Sequence, residues 1–308
     1  MRVRTRKAAL TEGVTAGVFF GTAAIFIRFL DGLDVFSIAF WRLIIACAAL
    51  ALITLTLKKT FQLSLIKENF KALLLLGVFL GLHFIFFISA VKDTTILNAT
   101  VLVNTTPIFS MFISSLFFKL KPSRLAVFGI ITSFVGMCVI GWVEAMVINA
   151  DTSVESFSSS LKGDMEAVLA ALVEALYLNY GRKLRGQMNI QSLMLPIYVS
   201  AALIVGVLTF PLTYKTLTFP KETKTILSLL GLGLLPTALA HTLYFSSLSN
   251  LKSFETATMA LLEPLGATVL GILIFTEIPA PLFAFGAALI LLGIFFVLKE
   301  KDETNKKE

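Results

Sequence analysis

Charge is scarce in this sequence. Asp, Glu, Lys and Arg make up 15% of its 308 residues, and 57% are hydrophobic; soluble domains carry roughly a quarter charged residues, so a water-soluble globular fold is excluded. Cysteine is nearly absent too. Cys47 and Cys138 both fall inside apolar stretches, which excludes a disulfide framework and leaves packing as their role. The two histidines, His83 and His241, lie in different halves of the chain, and nothing near them has the spacing of a zinc site. All six aspartates, Asp31, Asp34, Asp93, Asp151, Asp164 and Asp302, fall in predicted loops or span ends. The paired acids or metal box expected of an integral-membrane enzyme acting on lipid-linked substrates are therefore not evident. No charged ring or filter sequence marks a channel. Neither a metal nor a cofactor is implied.

What the chain has is long apolar runs. A helix crossing ~30 Å of hydrocarbon needs roughly 20 mainly apolar residues. Six charge-free stretches reach that scale: between Lys71 and Lys92, Asp93 and Lys119, Arg124 and Glu144, Arg185 and Lys215, Lys224 and Lys252, and Glu277 and Lys299. Four more, Leu10 to Phe29, Val35 to Leu57, Gly163 to Tyr180 and Ser253 to Phe275, are interrupted by only a few ionisable groups. Together they predict an all-α integral membrane protein of ten transmembrane helices with short loops and no soluble domain. The first run follows Arg2, Arg4, Arg6 and Lys7, as in a secretory leader. It is longer than a leader's apolar core and lacks a small-residue cleavage site, so we expect it to be retained.

The net charge of +7 is distributed by loop, which argues against a nucleic-acid partner. With the N-terminus inside, 19 Lys and Arg fall in inner segments and 6 in outer ones. That asymmetry predicts a multi-pass protein of the plasma membrane with both termini cytoplasmic. The loop after Tyr214, with Lys215, Lys221 and Lys224 outside, runs against the trend.

The chain also repeats itself. A shift of 157 places Ser89 on Ser246, Pro107 on Pro264, Phe118 on Phe275, Pro122 on Pro279, Phe128 on Phe285, Gly129 on Gly286 and Gly136 on Gly293. With five helices in each half, the second enters the membrane from the opposite side, so the repeats are inverted. The expected organisation is a first repeat over 1–148, a polar outer linker over 149–162, a second repeat over 163–298 and a charged cytoplasmic tail over 299–308. Inverted halves enclose a site between them, and rocking of one against the other exposes it alternately to each side. A pure scaffold has no need of such symmetry.

These residues carry a family resemblance. The segment Leu230 to Phe295, with its Leu262-Glu263-Pro264 step, Glu277 closing that helix and the Gly286 to Gly293 spacing, resembles the C-terminal repeat of EamA-type transporters in the drug/metabolite transporter superfamily. The first half, with Gly17 and Gly21 in helix 1, Arg42 in helix 2 and Pro107 in helix 4, looks like the partner repeat. Two positions depart from the pattern. Leu120 stands where the first repeat would match Glu277, and Glu174 stands in helix 6 where the family often has tryptophan. The resemblance implies a central cavity lined mainly by helices 1, 3, 4, 6, 8 and 9, and substrates among amino acids, other metabolites and drugs.

An ionisable group in mid-membrane is expensive and usually faces the bundle interior with a task. Glu174 lies 11 residues after Gly163, roughly 16 Å along the axis and near half the hydrocarbon depth. It is the leading candidate for binding substrate or a proton; the competing reading is a protonated side chain bonded to a neighbouring helix. Tyr177 one turn on and Glu166 eight positions back would extend a polar stripe. His83 and His241 could carry protons with Glu174 or Glu263 as partner, or serve as neutral rings between helices. Under the shift His83 falls on Ala240, one position from His241. Pro107 and Pro264 free the carbonyls of Val103 and Ala260 and are hinge candidates, with ordinary kinked packing the alternative. Asn104, with Asn98, Thr100, Thr105 and Thr106, makes helix 4 polar enough to line a cavity. The Gly13, Gly17, Gly21 ridge suits close helix packing. Arg42 is shallow enough to snorkel toward the outer interface, and a structural role beside Asp31 or Asp34 is favoured over the alternative, a contact with substrate.

The sequence thus reads as a secondary-active transporter, not an enzyme, exporting small metabolites, amino acids or drug-like compounds by alternating access, with protons as the candidate coupling ion. Its partners are a small-molecule substrate and the lipid bilayer, and it is a monomer or homodimer. Embedded acids outnumber embedded bases, which tilts the expected cargo toward cations or zwitterions. The membrane enzyme stands as the alternative.

Overall fold

A computed structural model describes residues 5–57, 60–150, 160–213, 219–275 and 281–299. Most of the polar linker, Glu277 and the charged tail beyond 299 lie outside the described residues. Among the described residues there are helices and no strands. They follow one another as helix 1 (Arg6–Phe20, then Ala23–Arg28), helix 2 (Val35–Thr56), helix 3 (Phe70–Asp93) and helix 4 (Ile96–Val103, then Thr106–Phe117). Helix 5 (Arg124–Ala150), helix 6 (Leu161–Gln187) and helix 7 (Ile190–Thr213) are uninterrupted. Helix 8 runs through Thr223–Leu232, Gly233–His241 and Thr242–Ser247, helix 9 through Ser253–Met259, Ala260–Leu262 and Glu263–Phe275, and helix 10 is Pro281–Leu298. Among the described residues, eight segments are long and apolar enough to cross a membrane, all but helices 6 and 9.

Local chemistry sets the ends and breaks. Asp34 caps helix 2, accepting from the Ser37 amide at 3.0 Å, and Thr95 caps helix 4, accepting from the Asn98 amide at 3.0 Å. Such caps satisfy donors that the helix itself leaves open. Pro107 and Pro264 each interrupt the hydrogen-bond ladder. The Val103 carbonyl is taken up by the Thr106 hydroxyl at 2.8 Å, and the Ala260 carbonyl by the Glu263 amide in a 3-10 turn. Helical structure resumes at Thr106 in one half and Glu263 in the other, 157 positions apart. A short helix, Leu63–Glu68, lies between helices 2 and 3; beside it, Gln62 and Thr60 bond to Ser192 and Asn189.

The packing carries the repeat into three dimensions. Helix 5 lies along helix 10, 2 along 7 and 4 along 9, each with its own counterpart; helix 3 contacts 6 and 7 as helix 8 contacts 1 and 2. Exchanging the two halves maps this set of contacts onto itself, as a two-fold axis between them requires. Ser133 marks the axis, because its hydroxyl donates at 3.1 Å to the carbonyl of Ile290, the residue equivalent to itself. Near it, Gly129 faces the Gly293 backbone and Gly136 faces that of Gly286, the same crossing seen from each half. No side chain fits between these backbones. The glycine ridge of helix 1 packs closely too, on Met259, Leu262 and the 263–267 backbone of helix 9.

Large apolar side chains cover the outside. Leu55, Leu116, Val207 and Leu273 are each more than 70% exposed, which suits hydrocarbon rather than water as the surrounding medium.

Candidate functional site

A cavity lies between the halves, at the breaks of helices 4 and 9. Its ionisable lining is Arg42, His83, Glu174, His241 and Glu263; Asn104 and Thr106 are the polar neutral groups, and Phe20, Phe84, Phe87, Val103 and Ala260 supply apolar walls. All five ionisable side chains are buried. The cavity has room for a few water molecules rather than an organic solute, so a carried molecule needs the halves to move apart.

Glu174 is the fourteenth of the 27 residues of helix 6, at its middle. One carboxylate oxygen is 3.7 Å from His83 Nδ1 and 3.4 Å from the Thr106 hydroxyl. His83 Nδ1 also sits 3.1 Å from the Ala170 carbonyl. A carbonyl only accepts, so that ring nitrogen bears a proton. Glu263 accepts from the Asn104 amide at 3.2 Å. The His241 ring packs edge to face on Phe20 and Phe84 at 4.8 and 4.9 Å and lies 5.9 Å from the His83 ring. Its Nδ1 is buried without a hydrogen-bond partner.

Of the residues singled out in the sequence, Glu174, His83, His241, Glu263 and Asn104 therefore meet in one place, although the histidines and acids come from both halves. Pro107 and Pro264 sit at the ladder breaks beside them. Tyr177 does not line the cavity: its ring packs at a tilt against Phe245, centroids 4.8 Å apart, and its hydroxyl meets the Met194 sulfur at 3.7 Å. Glu166 is near the end of helix 6, 3.7 Å from Lys162.

Arg42 is placed differently from the sequence expectation. It does not reach the outer interface. It is 1% exposed, donates from Nε to the Thr237 hydroxyl at 2.9 Å, and lies 3.8 Å over the Phe84 ring, while Asp34 is engaged with Ser37. Cation–π contact with an aromatic face offsets part of the desolvation of a guanidinium, and this pulls the side chain inward. Helix 2 thereby joins the six helices that the resemblance implied. Thr237, the partner, belongs to the π-helical stretch Gly233–His241. That stretch holds one residue more than an α-helix would. Before it Gly77 matches Gly233, an offset of 156; after it Ser89 matches Ser246, an offset of 157. The extra residue accounts for that change of offset; the position equivalent to His241 is Phe84, so the two histidines are not counterparts.

Polar ties close both ends of the bundle. At one end Arg6 pairs with Glu255 and reaches the carbonyls of Asn250 and Leu298, joining helices 1, 9 and 10. At the other, Asp164 accepts from Thr94 at 2.8 Å and Asn98 at 3.3 Å, joining helices 3, 4 and 6. Asn98 and Glu255 are equivalent under the 157 shift.

The model of the EamA-like transporter family matches residues 8–142 and 161–299. An uncharacterized transporter of Archaeoglobus fulgidus is 27% identical over 96% of this chain and 97% of its own length. The uncharacterized transporter YdfC of Bacillus subtilis is also 27% identical, over 97% of this chain and 92% of its own. Among solved structures, one crystal structure superposes with a TM-score of 0.77 at 16% identity, over 95% of this chain and 96% of the other, which shows a shared fold.

Proposed function

The chain belongs to the EamA-like transporter family, within the drug/metabolite transporter superfamily, and from that premise we propose a secondary-active exporter of small metabolites, amino acids or drug-like compounds that works by alternating access and is coupled to protons. The observation that carries this reading is the approach of Glu174 to His83 at 3.7 Å inside a cavity between the halves. A proton taken up by Glu174, beside the His83 ring and the Thr106 hydroxyl, neutralises the acid; a substrate ammonium does the same. The two compete for one site, and that competition is the coupling. Polar ties at equivalent places on opposite ends support two gates opened in turn.

The excess of Lys and Arg in alternate loops supports cytoplasmic termini in a plasma membrane. A lipid-directed enzyme would keep its acids near an interface, whereas Glu174 stands at mid-helix.

The test is flux in proteoliposomes across an imposed pH gradient, with amino acids, amines and drug-like cations as the panel. We expect the gradient to accelerate movement of a carried solute severalfold. Glu174→Gln should remove that acceleration and leave solute exchange without a gradient. An unaltered response to the gradient would take Glu174 out of the mechanism, and net uptake under an export-directed gradient would reverse the assigned direction.

A further inference from the structure

Among the described residues, Arg42 is a buried cation with no carboxylate within ion-pair distance. Every other feature of its setting holds it in place. Its Nε is bonded to Thr237, whose hydroxyl donates to Leu232 at 2.6 Å and whose carbonyl accepts from Tyr198 at 2.8 Å. Its carbon Cζ lies over Phe84. Its Nη1 is buried and has no hydrogen-bond partner, although the side chain borders the cavity. A guanidinium held in a low-dielectric interior with an idle donor is costly. A rigid fork with free N–H groups suits a carboxylate in particular.

The acids of the same cavity stand on other helices. Glu174 belongs to helix 6 and Glu263 to helix 9, with the His83 and His241 rings beside Phe84. The lining therefore carries one cation and two carboxyl groups that it does not pair with, and of the cations and zwitterions expected from the sequence this favours the zwitterion. We infer that Arg42 receives the carboxylate of the carried solute while Glu174 and Glu263 face its ammonium, so that the cargo is a compact zwitterion recognised at both ends. This rests on the transport reading above. It adds a specificity-determining residue on helix 2, outside the helices implied to line the cavity, and narrows the substrate class from any small metabolite to one carrying both charges.

The experiment compares matched solutes by thermal stabilisation of the purified full-length protein and by counterflow in vesicles. The probes are the common amino acids, their α-amides, the corresponding decarboxylated amines and their N-acetyl derivatives. We expect at least one amino acid to bind about ten- to a hundredfold more tightly than its own amide and amine, the range given by one charge-assisted pair. Arg42→Gln should erase the preference for acid over amide, and Arg42→Lys should keep part of it. Equal binding of acid and amide by the unaltered protein overturns the inference without recourse to any variant. So does a preference that survives in Arg42→Gln, with folding checked by its elution as a single species. Binding and counterflow of amines or drug-like cations alone would overturn the zwitterion while leaving the transport reading intact. If no solute of any class is bound or carried, the transport reading fails and this inference with it.

Discussion

Phe84 and His241 hold equivalent places 157 positions apart in the two halves, and their rings meet edge to face with centroids 4.9 Å apart. A residue touches its own counterpart only close to the axis that exchanges the halves. The cavity therefore lies on that axis, where rocking of one half against the other changes its access from both sides at once.

The crossing of helices 5 and 10 on the same axis depends on glycine. A Cβ on Gly136 would stand 2.6 Å from the Gly286 carbonyl oxygen, and overpacking of this kind costs about 1–3 kcal/mol. We expect Gly136→Ala to lower the melting temperature of the detergent-solubilised protein by several degrees. Gly32→Ala, where nothing lies within 4 Å, should leave it unchanged.

Arg6 and Glu255 close one end of the bundle, and the Glu255 side chain is fully buried. Removing one partner from a buried pair strands the other and costs about 3–5 kcal/mol. Arg6→Ala should therefore destabilise the protein and increase thiol labelling of a cysteine placed near that end, while Glu255→Gln should do less of the first. A labelling rate unaffected by either change would show that this contact is no gate.

The ion pair at the opposite end behaves otherwise. Lys162 is 69% exposed and lies 2.6 Å from Asp93, whose hydrogen bond raises the lysine ammonium above its ordinary range. A raised cation stabilises the fold below its unfolded pKa and loses that contribution only as pH rises through the higher folded value. The window lies on the alkaline side of the lysine range, at about pH 10 and above. Lys162→Gln should accordingly cost less than about 1 kcal/mol, by the same amount at pH 6 and pH 8 in thermal melts.

How far the molecule was legible differs between levels. Proline and glycine at a constant offset gave away the repeat, because backbone breaks and close crossings tolerate few other residues. Charge-free runs gave away the spans. The π-helical residue in helix 8 shows in the sequence only as a one-position change of offset, from 156 between Gly77 and Gly233 to 157 between Ser89 and Ser246. Glu255 was readable from the same shift applied to Asn98, but it sits in a predicted span whose ion-pair partner, Arg6, lies almost 250 positions away. Arg42 misled because position along a helix gives depth, whereas its inward turn depends on Phe84 and Thr237 from helices 3 and 8. Tyr177 shares a face with Glu174 by spacing, yet Phe245 and Met194 fill the space around it.

The most direct measurement concerns Ala260, which lines the cavity at the break of helix 9. With Cys47 and Cys138 replaced, a single cysteine at this position is exposed to a membrane-impermeant thiol reagent from either face of sealed, oriented vesicles. We expect modification from both faces, slowed from both by a carried solute. Modification from one face alone under every condition, or from neither, would contradict a shared pocket reached alternately from the two sides.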